Sequence, residues 1–99
     1  MSIRDILDYT ENMLTGIKPA EYGRPEEAFQ RIAEYWTTYL DHRGLLPKDN
    51  TLGITSNDVA MMMILFKIAR EEYAHKADTC YDILGYATLA TLMAENKGE

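Results

Sequence analysis

The chain has 99 residues, of which 46% are apolar and 26% charged, with a formal net charge of −6 at pH 7. That length supports one hydrophobic core and not two, so residues 1–99 are expected to form a single domain. The acid excess argues against the phosphate-neutralising surface a nucleic-acid binder needs, and direct nucleic-acid binding is not expected. It is compatible with a bound cation or with a basic partner. Cys80 is the one cysteine, which rules out an intrachain disulfide and a Cys-based zinc site. Its expected role is a small buried hydrophobe. The first residues carry acids and no signal-type apolar run, and the longest apolar run, Val59 to Phe66, falls far short of the ~20 residues of a membrane span. A cytoplasmic protein of a reducing compartment, with no membrane segment, is the expectation.

In chain order, Ser2 followed by Asp5 is a capping signal, and Ile3, Ile6, Leu7, Met13 and Leu14 recur at helical spacing. The spacing predicts a helix over about 2–14, ended by Gly16 and Pro19. Residues 17–24 read as a connector in which Tyr22 and Gly23 suit a turn. Pro25 fits the first position of a second helix, with Glu26 and Glu27 complementing its dipole. The stripe Phe29, Ile32, Ala33, Trp36, Tyr39, Leu40 carries that helix to about residue 40 and leaves Gln30, Arg31, Glu34 and Thr38 on a wet face. A surface loop is expected over 41–54, rich in glycine, proline and charge.

Thr55 and Asp58 form a second capping signal, and a third helix is predicted over about 56–74. Its middle, VAMMMILF, is apolar all round, as in a helix that is central or faces a second subunit. The row Met61, Met62, Met63 suits adaptable packing. A fourth helix is expected over about 78–94, again nearly apolar all round, with Gly85 inside it at a cost of ~1 kcal/mol against alanine. Such a glycine usually permits close approach of another backbone or a ligand. Beyond it, residues 95–99 read as a frayed polar tail.

Two amphipathic and two all-apolar helices on short loops suggest an all-α, four-helix bundle-like domain. So short a chain does not easily bury two wholly apolar helices, and a homo-oligomer through the third and fourth would shield them.

Charge inside those two helices points to a site. Lys67 and Arg70 share a face near the end of the third helix, and Asp78 and Asp82 share one at the start of the fourth. A short turn between them makes the helices antiparallel, which brings Arg70 level with Asp78 and Lys67 level with Asp82. Two readings stay open. The four residues tie helices together, with Asp78 as a cap and Asp82 paired to Lys67 or Arg70. Alternatively Asp78 and Asp82 hold a hard cation such as Mg²⁺, while Lys67 and Arg70 contact a phosphate or carboxylate. Tyr86, one turn after Asp82, is the aromatic best placed for that face. Trp36 could stack on a base, although its stripe also suits the core. His42 and His75 have no second histidine nearby and are not expected to bind metal.

Several segments together resemble a family of small helical proteins encoded by bacteriophages and prophages, mostly of unknown function. They are the run Tyr22-Gly23-Arg24-Pro25-Glu26-Glu27, then Phe29-Gln30-Arg31-Ile32-Ala33, with Trp36 and Tyr39-Leu40 after it. Next come Ile54-Thr55, Asp58-Val59-Ala60 and Lys67-Ile68-Ala69-Arg70. Last are His75-Lys76, Asp78 and Asp82-Ile83-Leu84-Gly85-Tyr86-Ala87. Ala28 departs from the pattern, which often has a polar residue there, and the loop 41–53 looks longer than usual. The last helix also looks like that of MazG-like nucleotide pyrophosphohydrolases, which hold magnesium on acid pairs from two helices. A Glu-x-x-Glu on the second helix, which that likeness would call for, is not present.

What the resemblance implies is a phage-encoded nucleotide-binding protein acting in the host cytoplasm, and under the MazG-like likeness an Mg²⁺-dependent pyrophosphohydrolase. The alternative is a non-enzymatic counter-defence protein that sequesters a nucleotide signal or covers a host defence protein.

Overall fold

The computed structural model describes residues 1–16, 23–48 and 53–96. The connector residues 17–22, Tyr22 among them, the centre of the long loop and the last three residues lie outside that description. Four helices account for the fold: α1 (Ile3–Thr15), α2 (Pro25–His42), α3 (Ser56–Tyr73) and α4 (Thr79–Asn96). No strand occurs among the described residues.

Local chemistry sets the helix ends. Both capping boxes form: Asp5 N–H donates to Ser2 Oγ at 3.0 Å, and Asp58 N–H donates to Thr55 Oγ1 at 3.1 Å. The reciprocal bonds, Ser2 N–H to Asp5 and Thr55 N–H to Asp58, are 3.0 and 2.9 Å. Each box satisfies two backbone donors that a helix start leaves without partners. Pro25 occupies the first turn of α2, where its missing N–H is no loss.

The far end of α2 lies at His42, two residues beyond the apolar stripe. Gly44 takes φ +69° there. Its N–H donates to Asp41 C=O, and Leu45 N–H donates back to Leu40 C=O at 2.9 Å. That pattern is a Schellman ending, which needs a left-handed residue and so a glycine. The chain then returns to α2, where Ile54 N–H donates to Thr37 Oγ1 at 2.8 Å.

α3 and α4 pack antiparallel as the most extensive helix pair, and α4 also meets α1 and α2. Lys67 faces Asp82, and two turns away Ala60 meets Leu89, as an antiparallel repeat requires. The core is small: Ala60, Leu89, Ala90 and Met93, with Leu14 and Phe29 packed on its edge. Alanines at 60 and 90 let the two backbones approach. At Gly85 a Cβ would lie 3.0 Å from Met13 Cε, the flexible end of a side chain on α1, and would meet no backbone.

α1 and α2 both contact α4, while their own backbones stay apart. Between them a cleft opens over the middle of α4. α3, read from its sequence as central or facing a second subunit, buries only one side: Ser56, Val59 and Ala60 are covered, while Met61, Leu65, Phe66 and Ile68 are exposed. No helix among the described residues is long and apolar enough to cross a membrane.

Candidate ligand site at the head of α4

The centre of the site is an ion pair. Lys67 Nζ lies 3.0 Å from Asp82 Oδ2, with the two side chains 20% and 27% exposed. Asp82 sits in the first turn of α4 because α4 begins immediately after the turn that follows α3. Arg70 and Asp78 behave differently. Both are exposed, and no ion pair joins them among the described residues. The Arg70 guanidinium instead lies 5.5 Å from the centre of the Phe66 ring. Arg70 and Asp78 nevertheless border the same hollow, with a volume of about 210 Å³, which Lys67, Lys76, Thr79 and Asp82 complete. Three cations face two carboxylates there. The open N-terminus of α4 adds its partial positive charge.

Asp82 also lines the second cleft, the gap between α1 and α2. That space is about 320 Å³, and its apolar walls include Met13, Leu14, Phe29, Tyr86 and Leu89. The Phe29 and Tyr86 rings lie 6.1 Å apart, centre to centre, tilted by 34°. Gly23 and Pro25 close one end. An apolar, aromatic cleft and a cationic hollow therefore meet at one carboxylate. A ligand that fits both has a flat apolar part, an anionic part a few bonds away, and hydrogen-bond donors where they join.

The chain matches the domain of unknown function DUF6378 over residues 5–94. It belongs to that family. It is also similar to the Gene 55 protein of Mycobacterium phage L5, 41% identical over 83 residues, and to that of Mycobacterium phage D29, 34% identical over 83 residues. Those matches take in 83% of this chain and 47% and 48% of the phage proteins, so the chain spans about half the length of the curated relatives it matches. No solved structure matches it. The family match agrees with the resemblance to small helical phage proteins. Neither the family nor these relatives bring an activity with them, and the MazG-like likeness rests on the last helix alone.

Within this DUF6378 domain the residues singled out from the sequence divide between two places. Lys67, Arg70, Asp78, Asp82 and Tyr86 border the two joined clefts. Trp36 does not: it is half-buried in a separate apolar groove with Tyr39, Leu40, Ile54 and Met62. Cys80 is exposed rather than buried, since it projects from a different side of α4 than its buried neighbour Thr79. Asp78 precedes α4, and its backbone carbonyl accepts from Asp82 N–H at 2.9 Å.

The two candidate carboxylates are not a ready pair for a magnesium ion. Asp82 is held by the Lys67 ammonium at 3.0 Å, so a cation there would have to displace Lys67. The described residues hold no group of three His, Cys, Asp or Glu side chains placed for a metal.

Phe29, Lys76 and Thr79 line the two clefts and are not singled out as site residues by the sequence. Phe29 reads there as one more residue of the core stripe. Glu71 organises the turn beneath the cationic hollow. Its carboxylate accepts from the His75 ring and from Lys76 N–H at 3.1 Å, and it bonds the Thr79 side chain. The His75 bond first, then those of Thr79 and the Lys76 backbone, hold the Glu71 carboxyl below the usual carboxylate range. A depressed folded value means stability that is present above the ordinary glutamate pKa and lost as pH falls through the lowered one. Urea midpoints for the parent and Glu71→Gln are therefore expected to differ above the ordinary glutamate range and to draw together as pH falls through the lowered Glu71 value. A difference unchanged with pH would remove the charged role of Glu71.

Proposed function

We propose that this protein binds a nucleotide in the two joined clefts, as a small phage-encoded binding protein. The observation that carries this reading is the placement of Asp82, which lines both the aromatic cleft and the cationic hollow. A base in the first cleft lies against Phe29 and Tyr86, where stacking contributes ~1–3 kcal/mol per base. Phosphate oxygens in the second face Lys67, Arg70 and Lys76, with Arg suited to a bidentate contact. The Asp82 carboxylate accepts hydrogen bonds, so it favours a base with an amino or imino N–H over a ring of acceptors alone.

Sequestration is the form of this reading that the donor set favours. Hydrolysis of a metal-bound pyrophosphate would need carboxylates beyond Asp78 and Asp82. A counter-defence role follows if the ligand is a host nucleotide signal. The charge of −6 supports a second reading, in which the acidic surface covers a basic surface of a host defence protein.

Titration calorimetry with nucleosides, inorganic phosphate and a panel of nucleotides, each with and without magnesium, tests this. A nucleotide is expected to bind more tightly than either fragment, without needing magnesium. Lys67→Met and Tyr86→Ala are each expected to weaken it about tenfold or more, which is ~1.4 kcal/mol. Ligand recovered intact after denaturation supports sequestration, and recovery of cleavage products supports hydrolysis. No heat with any nucleotide would overturn the proposal.

A further inference from the structure

The exposed side of α3 is apolar along its length. Met61, Met62, Leu65, Phe66 and Ile68 are between 42% and 64% exposed. At 100° per residue they span one continuous face, together with Ala69, and charge appears only at its ends, as Asp58 and Glu72. The face continues onto α2 through the groove of about 480 Å³ where Met62 meets Trp36, Tyr39 and Leu40. With Tyr39, itself 59% exposed, the patch presents on the order of 600 Å², at the upper limit of what monomeric proteins leave open.

Two such patches face to face would bury about 1,200 Å² in all, at the lower end of a specific protein interface.

We infer that this face is the interface of a twofold homodimer, with a second copy of the chain as its occupant. The centre of the patch around Met61, Met62 and Leu65 is uncharged and methionine-rich, with the Arg70 guanidinium over Phe66 at one edge, so the centre can meet itself without opposing like charges. Two α3 helices aligned antiparallel about Leu65 would set Asp58 against Glu72 of the second copy. A crossed packing centred on Leu65 carries those acids apart and leaves them in the polar rim. Protruding side chains of one copy then fill the Trp36–Met62 groove of the other. This inference does not depend on the ligand reading, because none of the patch residues Met61, Met62, Leu65, Phe66 and Ile68 lines either cleft.

Sedimentation equilibrium on the purified chain tests it, alongside Leu65→Glu. Leu65 is 64% exposed, so the substitution leaves the fold of a single copy intact. The parent is expected to show twice the chain mass, and Leu65→Glu a single chain mass with unchanged helical circular dichroism. Lys48→Glu, on an exposed loop away from the face, is expected to remain dimeric. A monomeric parent, a mass above the dimer, or a dimer that survives Leu65→Glu would each overturn the inference.

Discussion

Leu89→Ala is expected to cost about 3 kcal/mol, within the range that large-to-small substitutions in a packed core show. Leu89 is 8% exposed on α4, where it meets Ala60 and is flanked by Leu14 and Phe29. The core has few other large side chains to share the loss, and Ala60 and Ala90 cannot reach into the space. A melting temperature roughly 10–20 °C lower is expected, since 1 kcal/mol shifts a domain of this size by about 4–8 °C. The truncation also widens the aromatic cleft, which Leu89 lines. A thermal melt by circular dichroism checks this directly. A shift of only a degree or two would mean that Leu89 is not where α1, α2 and α3 converge on α4.

The second large effect concerns the ion pair. Asp82→Ala leaves the Lys67 ammonium between α3 and α4 without its partner at 3.0 Å. Loss of one member of a fully buried pair costs roughly 3–5 kcal/mol. Both side chains here retain a fifth to a quarter of their exposure, so water and salt recover part of that. The expectation is about 1–3 kcal/mol for Asp82→Ala, and a similar loss for Lys67→Ala. Replacing both together, Lys67→Ala with Asp82→Ala, is expected to cost less than the two single losses summed. Urea unfolding of the four proteins closes the double-mutant cycle. Strict additivity would show that the two groups do not interact.

Much of this arrangement is legible in the sequence, because it depends on local rules. Ser2 with Asp5 and Thr55 with Asp58 announce helix starts, and Pro25 opens α2 as its chemistry demands. A short turn between two helices implies antiparallel packing, and from that alone Lys67 is brought to Asp82. The end of α2 is less legible, since Gly44 could be either a loop residue or the left-handed cap that draws the helix on to His42. Periodicity fails for α3 for a different reason. A helix apolar all round has no pattern to say which side faces inward, and the exposed side through Leu65 is set by where α2 and α4 leave room.

The aromatic cleft is the least legible feature. It exists because the backbones of α1 and α2 stay apart where they rest on α4, a gap encoded by no motif. Phe29 and Trp36 lie two turns apart on the same stripe, yet one borders the cleft beside Asp82 and the other a groove against α3. Arg70 and Asp78 show the limit of register arguments. They reach the same hollow, but Arg70 lies over Phe66 instead of pairing with the acid.

The nucleotide proposal requires one ligand to span both clefts across Asp82. Nuclear magnetic resonance tests it most directly, following the methyl groups of Met13 and Leu89 for the aromatic cleft and the backbone amides of Lys76 and Thr79 for the cationic hollow. On titration with a nucleotide, all four signals are predicted to shift along one isotherm with a single dissociation constant. Movement confined to one cleft, or two isotherms with different midpoints, would contradict a ligand that bridges them.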